Sequence, residues 1–178
     1  MAESMAAPPR PHRVLGISVA GIILILDQIA KYIVTVPLQL ESRGDEGLEL
    51  LPVFALRWVE NRGVSMGFLH AGTDNARWLL VGLTIAIALF VAVWMWSETA
   101  RTCIAALGLV LGGAIGNIID RVRLGFVVDY ADFHLGEWRP FLVFNLADAA
   151  ITIGVLILLA RALLLGEKGA KSESHENA

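Results

Sequence analysis

Asp129, in GFVVDYADF, and Asp148, in FNLADAAIT, are carboxylates set in apolar surroundings. Two carboxylates brought together in a low-dielectric site cannot both ionise easily, so one of them keeps a proton. The ionised partner can then take a proton from water while the protonated one polarises a carbonyl, the working logic of an aspartic protease. Such chemistry needs no metal and no cofactor. Asp132 follows Asp129 closely and competes for the same role, and Asp120 competes more weakly. Carboxylate chemistry alone leaves the choice among them open.

Other polar residues fall in or beside long apolar stretches, where an ionisable group is costly and calls for a partner or a function. Asp27 and Lys31 lie in the second half of the first stretch, Asn117, Asp120 and Arg121 close the third, and Asn145 and Asp148 open the fourth. If the chain crosses the membrane at each stretch, all of these residues arrive at the same face, together with Asn61 and Asp129 from the connecting segments. That convergence points to a single site. Each member also has a plainer reading. Asp27 and Lys31 have the i, i+4 spacing of a helix pair, Asp120–Arg121 suits a solvated helix end, and Asn145 is a favoured N-cap.

Several classes of chemistry are poorly served by this chain. Cys103 is the only cysteine, which rules out an intrachain disulfide and cysteine-rich zinc sites. His12, His70, His134 and His175 have no ligand spacing, so no metal site is expected. No serine has a lysine or histidine base in a matching context. A net charge of -3 without a dense basic patch gives no footprint for nucleic acid.

The elements that must position the polar cluster are membrane helices. The chain has 178 residues, of which 56% are hydrophobic, and a mean hydropathy of +0.66, above the roughly 45–50% apolar content of soluble domains. A spanning helix needs about 20 mostly apolar residues. The pattern predicts four: about Val14–Val36, Trp78–Trp96 with tryptophans at both ends, Thr102–Ile119 and Asn145–Leu165. Arg10 and Arg13 ahead of Val14–Leu26 resemble a cleaved signal peptide, but the apolar run continues past Leu26 and no A-x-A site follows. The short turn Ser97–Arg101 makes the second and third helices antiparallel neighbours. Gly108, Gly112 and Gly116 form a small-residue stripe suited to close helix packing. The segment about Pro37–Asn75 contains LELLPVFALRWVENRGVSMGFL and predicts a small sheet on the membrane surface. Residues 1–165 therefore read as one integral-membrane domain, and 166–178 (GEKGAKSESHENA) as a polar, disordered tail. An even number of spans puts both termini on one side, although the Lys and Arg count does not say which.

Five blocks in order carry a resemblance over nearly the whole chain: LDQIAK (Leu26–Lys31), ENRGVSMGF (Glu60–Phe68), GGAIGNIIDR (Gly112–Arg121), GFVVDY (Gly125–Tyr130) and FNLADAAITIG (Phe144–Gly154). In these the sequence resembles the lipoprotein signal peptidase family, also called signal peptidase II. The resemblance implies a membrane α-helical fold of four transmembrane helices with a small extracytoplasmic β-sheet. It implies an aspartic endopeptidase that removes signal peptides from diacylglyceryl-modified prolipoproteins. The implied partners are that lipid-modified substrate and membrane lipids, with no cofactor, no metal and no nucleic acid. By position it implies Asp129 and Asp148 as the catalytic pair. Asp27, Lys31, Asn61, Gly63, Asn117, Asp120, Arg121 and Asn145 match the family's supporting positions. It further implies the bacterial inner membrane, with cytoplasmic termini and a site near the periplasmic face.

Two segments depart from the pattern. GVSMGF stands where many relatives are richer in alanine, so Met66–Phe68 is expected to line the substrate path differently. The acidic segment Glu41–Glu49 matches no family motif. The rival readings from other classes are a transport or channel subunit relaying protons through Asp27, Asp129 and Asp148, and a subunit whose polar cluster only ties helices together.

Overall fold

The computed structural model describes residues 12–63, 74–136 and 138–176. Helix α1 (Arg13–Thr35) leads through a short 3-10 segment (Leu40–Glu46) to strands β1 (Leu48–Leu51) and β2 (Phe54–Asn61). Helices α2 (Asp74–Ser97) and α3 (Arg101–Arg123) follow, then β3 (Val127–Phe133) and α4 (Leu146–Glu176). Among the described residues four helices are long and apolar enough to cross a membrane: Arg13–Thr35, Asn75–Ser97, Arg101–Arg123 and Leu146–Leu164. These agree with the four expected spans to within a turn, and the third runs one turn further than its apolar stretch. Met66–Phe68 lies outside the described residues.

Helix α3 is the centre of the bundle. Its most apolar stretch is 56% buried, against 17–22% for the other three helices, which therefore turn most of their surface outward. Close packing explains the difference. A Cβ added at Gly112 would stand 2.5 Å from the Ala20 carbonyl oxygen of α1, and one at Gly113 would stand 2.5 Å from the Ala147 carbonyl of α4. Backbones can approach this closely only where side chains are absent. The outward faces carry Ile22 and Ile25 on α1, Leu83 and Phe90 on α2, and Leu159 and Leu163 on α4, all exposed. Trp78 and Trp96 mark the two ends of α2, both half exposed, where an interfacial aromatic belt places them. In the turn after α2, the Glu98 carboxylate accepts the backbone N–H groups of Thr99 (2.8 Å) and Ala100 (2.9 Å).

The sheet is antiparallel in the order β1-β2-β3, at the end of the bundle where α1 and α3 finish and α4 begins. The expected sheet segment supplies only two of its strands. The third is β3, so Asp129 stands on a strand and not in the loop that its position after α3 suggests. Its neighbours explain why no strand pattern is visible there: Val127, Val128, Asp129, Ala131 and Asp132 are all buried, and a strand covered on both faces does not alternate. Between Leu56↔Ala131 and Val59↔Asp129 strand β2 spends one residue more than β3, a bulge that re-aims Arg57 and Trp58. The acidic segment is pinned by Leu40, which is fully buried with Val34 and Val128, while Glu41 faces outward. At the other end of the chain the helical backbone of α4 continues to Glu176, through a stretch where composition predicts disorder. Glu167, Lys168, Ala170 and Lys171 are good helix formers and give a local reason for the continuation.

Candidate active site

The site is built around the start of α4. The first N–H groups of a helix have no partner within it, and here side chains of α1 and of the residue before α4 supply partners. The Ala147 N–H donates to Asp27 Oδ1 (3.0 Å), and the Asp148 N–H to Asn145 Oδ1 (2.9 Å). The Asn145 N–H donates in turn to Asp148 Oδ2 (3.3 Å). This reciprocal pair is a capping box written with Asn and Asp, so Asp148 is held by the same bonds that start its helix.

Asn145 also reaches outward. Its Nδ2 donates to Asp129 Oδ1 at 2.6 Å, which makes one amide the bridge between the two aspartates. The other Asp129 oxygen accepts Asn61 Nδ2 at 3.0 Å. Asn61 is aimed by Gly63, whose N–H donates to Asn61 Oδ1 (2.9 Å) from a left-handed backbone at φ 79°. A side chain there would be strained and would meet Leu80 at 2.8 Å. On the far side, Asn117 Nδ2 donates to Asp148 Oδ1 (2.8 Å), and Lys31 Nζ donates to Asn117 Oδ1 (3.2 Å).

Beneath this row lies a buried ion cluster. Lys31 pairs with Asp27 and with Asp120, each at 2.8 Å, and all three are almost completely buried. Asp120 also accepts the Val128 N–H of β3 (3.2 Å). The i, i+4 pairing of Asp27 with Lys31 thus exists, but as part of a wider network and not as an isolated surface pair. Asp120 is no solvated helix end. Its neighbour Arg121 forms no ion pair with it among the described residues. The Arg121 guanidinium lies instead beside Gly63, close enough to Asp148 and Asp129 to interact with their charges.

Burial drives the Asp129 carboxyl up from its ordinary 3.8 to about 6. The Asn61 hydrogen bond opposes that rise, and the nearby Asp148 carboxylate adds to it. Asp129 is 2% exposed, so desolvation is the expected leading cause. Asp129 is therefore disposed to hold a proton.

Apart from Arg121, the polar positions expected from the sequence are thus connected by hydrogen bonds and ion pairs, from Asp27 to Asp148. Asp132 is not among them. It is three residues from Asp129 on a strand, so its side chain points to the opposite face, where it pairs with Arg57 at 2.7 Å. Two contributors give no sequence signal. Gln28 donates to Asp120 Oδ1 (3.2 Å) and to the Gly116 carbonyl (3.4 Å). Arg77 of α2 donates through Nε to the Arg121 carbonyl (2.7 Å). Among the described residues no group of three or more His, Cys, Asp or Glu side chains is arranged to hold a metal ion.

Asp148 opens sideways into an apolar pocket of ≈ 340 Å³, lined also by Phe141, Leu142, Phe144, Thr152 and Ile153. A polar pair at the end of a greasy cleft can hold an apolar chain in lipid while a peptide bond meets water at the carboxylates.

The chain is similar to known proteins over most of its length. The profile of the Signal peptidase (SPase) II family matches residues 19–164. A lipoprotein signal peptidase of Rhizorhabdus wittichii is 58% identical over 163 residues, covering 92% of this chain and 94% of its own. That of Sphingopyxis alaskensis is 51% identical over 170 residues, covering 96% and 97%, and one from Escherichia coli is 37% identical over 145 residues, covering 80% and 85%. Two solved structures described as a bacterial membrane enzyme, at 2.3 and 1.9 Å resolution, superpose with TM-scores of 0.69 and 0.71. Each is 29% identical and covers 83% of this chain, and 87% and 92% of their own.

Proposed function

The chain belongs to the signal peptidase II family, and from that premise we propose that this membrane protease cuts diacylglyceryl-modified prolipoproteins with a water activated between Asp129 and Asp148. The bond broken is the amide before the lipidated cysteine. One observation carries the assignment of the pair: Asn145 Nδ2 binds Asp129 at 2.6 Å while Asn145 and Asp148 cap each other. The two carboxylates are thereby fixed to one another through Asn145, whose side chain binds Asp129 and whose backbone N–H binds Asp148.

In the proposed cycle one carboxyl carries the shared proton and hydrogen-bonds the substrate carbonyl. The other takes a proton from water as it attacks, giving a tetrahedral intermediate. Collapse of that intermediate, with the proton passed to the leaving nitrogen, releases the signal peptide and the new cysteine amino terminus. Burial favours Asp129 as the protonated member in the resting enzyme. Arg121 lies beside the pair and is suited to balance its charge. Asn61, Gly63, Asn117 and Asn145 hold the carboxylates in place, and Asp27, Lys31 and Asp120 tie α1, α3, α4 and β3 into one frame beneath them. The apolar pocket beside Asp148 receives apolar parts of the substrate.

Residues 1–165 act on this reading as one peptidase domain with a polar appendage, 166–178. As a bacterial inner-membrane protein it would keep both termini in the cytoplasm and the site near the periplasmic face, the arrangement implied by the family resemblance. The test is to reconstitute the purified protein in lipid with a prolipoprotein, lipidated or not, and to weigh the products. Cleavage before the lipidated cysteine, unaffected by chelator and absent without the lipid, is the expected result. Equal cleavage of both forms would refute the substrate assignment, and loss of activity with chelator would refute the metal-free dyad.

A further inference from the structure

A second ionic centre stands on the other face of β3 and takes no part in the proposed dyad. Asp132 is fully buried. Its Oδ2 lies 2.7 Å from Arg57 Nε, 3.3 Å from Arg139 Nε and 3.8 Å from His134 Nδ1. Arg57 comes from the β2 bulge. Arg139 and His134 come from the segment between β3 and α4, which carries Phe141 and Leu142 into the wall of the pocket beside Asp148.

Among the described residues, the backbone anchors of that segment lie at its ends and across its turn. The His134 N–H donates to the Val53 carbonyl (3.0 Å), Leu135 and Trp138 bond each other, and Phe144 bonds Ala131. Between Trp138 and Phe144 the Arg139–Asp132 pair tethers the segment to the sheet. Just beyond it Phe141 is 61% and Leu142 87% exposed, so burial of their own side chains does little to hold them. The Phe141 ring lies 6.4 Å from that of Phe133, the last residue of β3. A buried carboxylate linking a strand to the root of an exposed apolar wall is placed to set where that wall stands.

We propose that Asp132 is a positioning residue for substrate binding: paired with Arg57 and Arg139, it holds Phe141 and Leu142 as the outer wall against which the apolar part of the substrate lies. The inference rests on the peptidase reading above. It differs from a purely stabilising role because its effect passes through the wall to affinity and not to the chemical step.

Steady-state cleavage of a lipidated prolipoprotein in mixed micelles tests it. Arg139→Gln removes the arm of the loop and leaves the Arg57–Asp132 pair within the sheet, so folding is preserved. It is expected to raise KM about tenfold with kcat within about twofold, and Arg139→Lys to recover most of the loss. Leu142→Ala should raise KM similarly, and the double variant Arg139→Gln/Leu142→Ala no further, since both act through one wall. Asp132→Asn should repeat the Arg139→Gln pattern. A fall in kcat with unchanged KM, an Arg139→Gln enzyme equal to the wild type, or effects that multiply in the double variant would overturn the proposal. Failure of the wild type itself to cleave would instead reject the peptidase reading on which it rests.

Discussion

Replacing Asp129 by Asn removes a carboxylate that folding forces into a dry site, and the consequence should appear in stability before it appears in kinetics. The folded carboxyl titrates near 6 where the ordinary value is 3.8. The folded state therefore binds this proton more tightly than the unfolded chain, and linkage fixes the sign. The stabilisation is complete below the unfolded value and is lost as pH rises through the folded one. A difference of about two pH units corresponds to about 3 kcal/mol over the full window. Between pH 4.5 and 7.5, where titration is partial at the acidic end, about 2 kcal/mol remains. Asn mimics the protonated carboxyl and does not titrate, so Asp129→Asn should gain about 2 kcal/mol on the wild type between those pH values. Titrations of groups not coupled to Asp129 cancel in the comparison. Thermal unfolding in detergent should show the difference in Tm between the two proteins growing by about 4–8 °C from pH 4.5 to 7.5. A difference that is flat with pH, or that shrinks, would refute the argument that burial holds Asp129 above its ordinary range.

The hydrogen bond from Asn61 favours the ionised Asp129, so Asn61→Ala should move the alkaline limb of the pH–rate profile to higher pH; an unmoved or lowered limb would contradict the proton assignment. Lys31→Met leaves Asp27 and Asp120 buried without their cation, and breaking such a pair from one side costs about 3–5 kcal/mol. A sharp fall in the yield of folded protein from detergent extracts is expected. Gly112→Leu forces a side chain against the Ala20 carbonyl and should destabilise the α1–α3 interface by about 1–3 kcal/mol, while Gly21→Leu, with open space around it, should leave Tm nearly unchanged.

The helices were readable because apolar length is a strong, local signal, and the glycine stripe because small residues at one face have few other uses: Gly108 and Gly112 do meet α1 at the Gly16 and Ala20 carbonyls. The polar positions were readable because each stands out against an apolar background. What composition hides is contact between distant segments. Asp129 and Asp132 look interchangeable until the segment is known to be a strand, when their separation sends them to opposite faces. The strand itself is hidden because its partner β2 lies in a separate loop and both of its faces are covered. Gln28 carries no charge to mark it in the sequence, yet it links Asp27 to Asp120. The helical continuation of α4 shows the limit of composition in the other direction, since polar residues with good helix propensity permit either state.

The proposed chemistry rests on the two aspartates bridged by Asn145. Cleavage of a lipidated prolipoprotein by the Asp129→Asn and Asp148→Asn enzymes, purified and checked for insertion and thermal stability, tests it most directly. Both should fall to the uncatalysed baseline while remaining folded, with Asp132→Asn keeping its kcat. A folded Asp129→Asn or Asp148→Asn enzyme that still turns over would contradict the dyad.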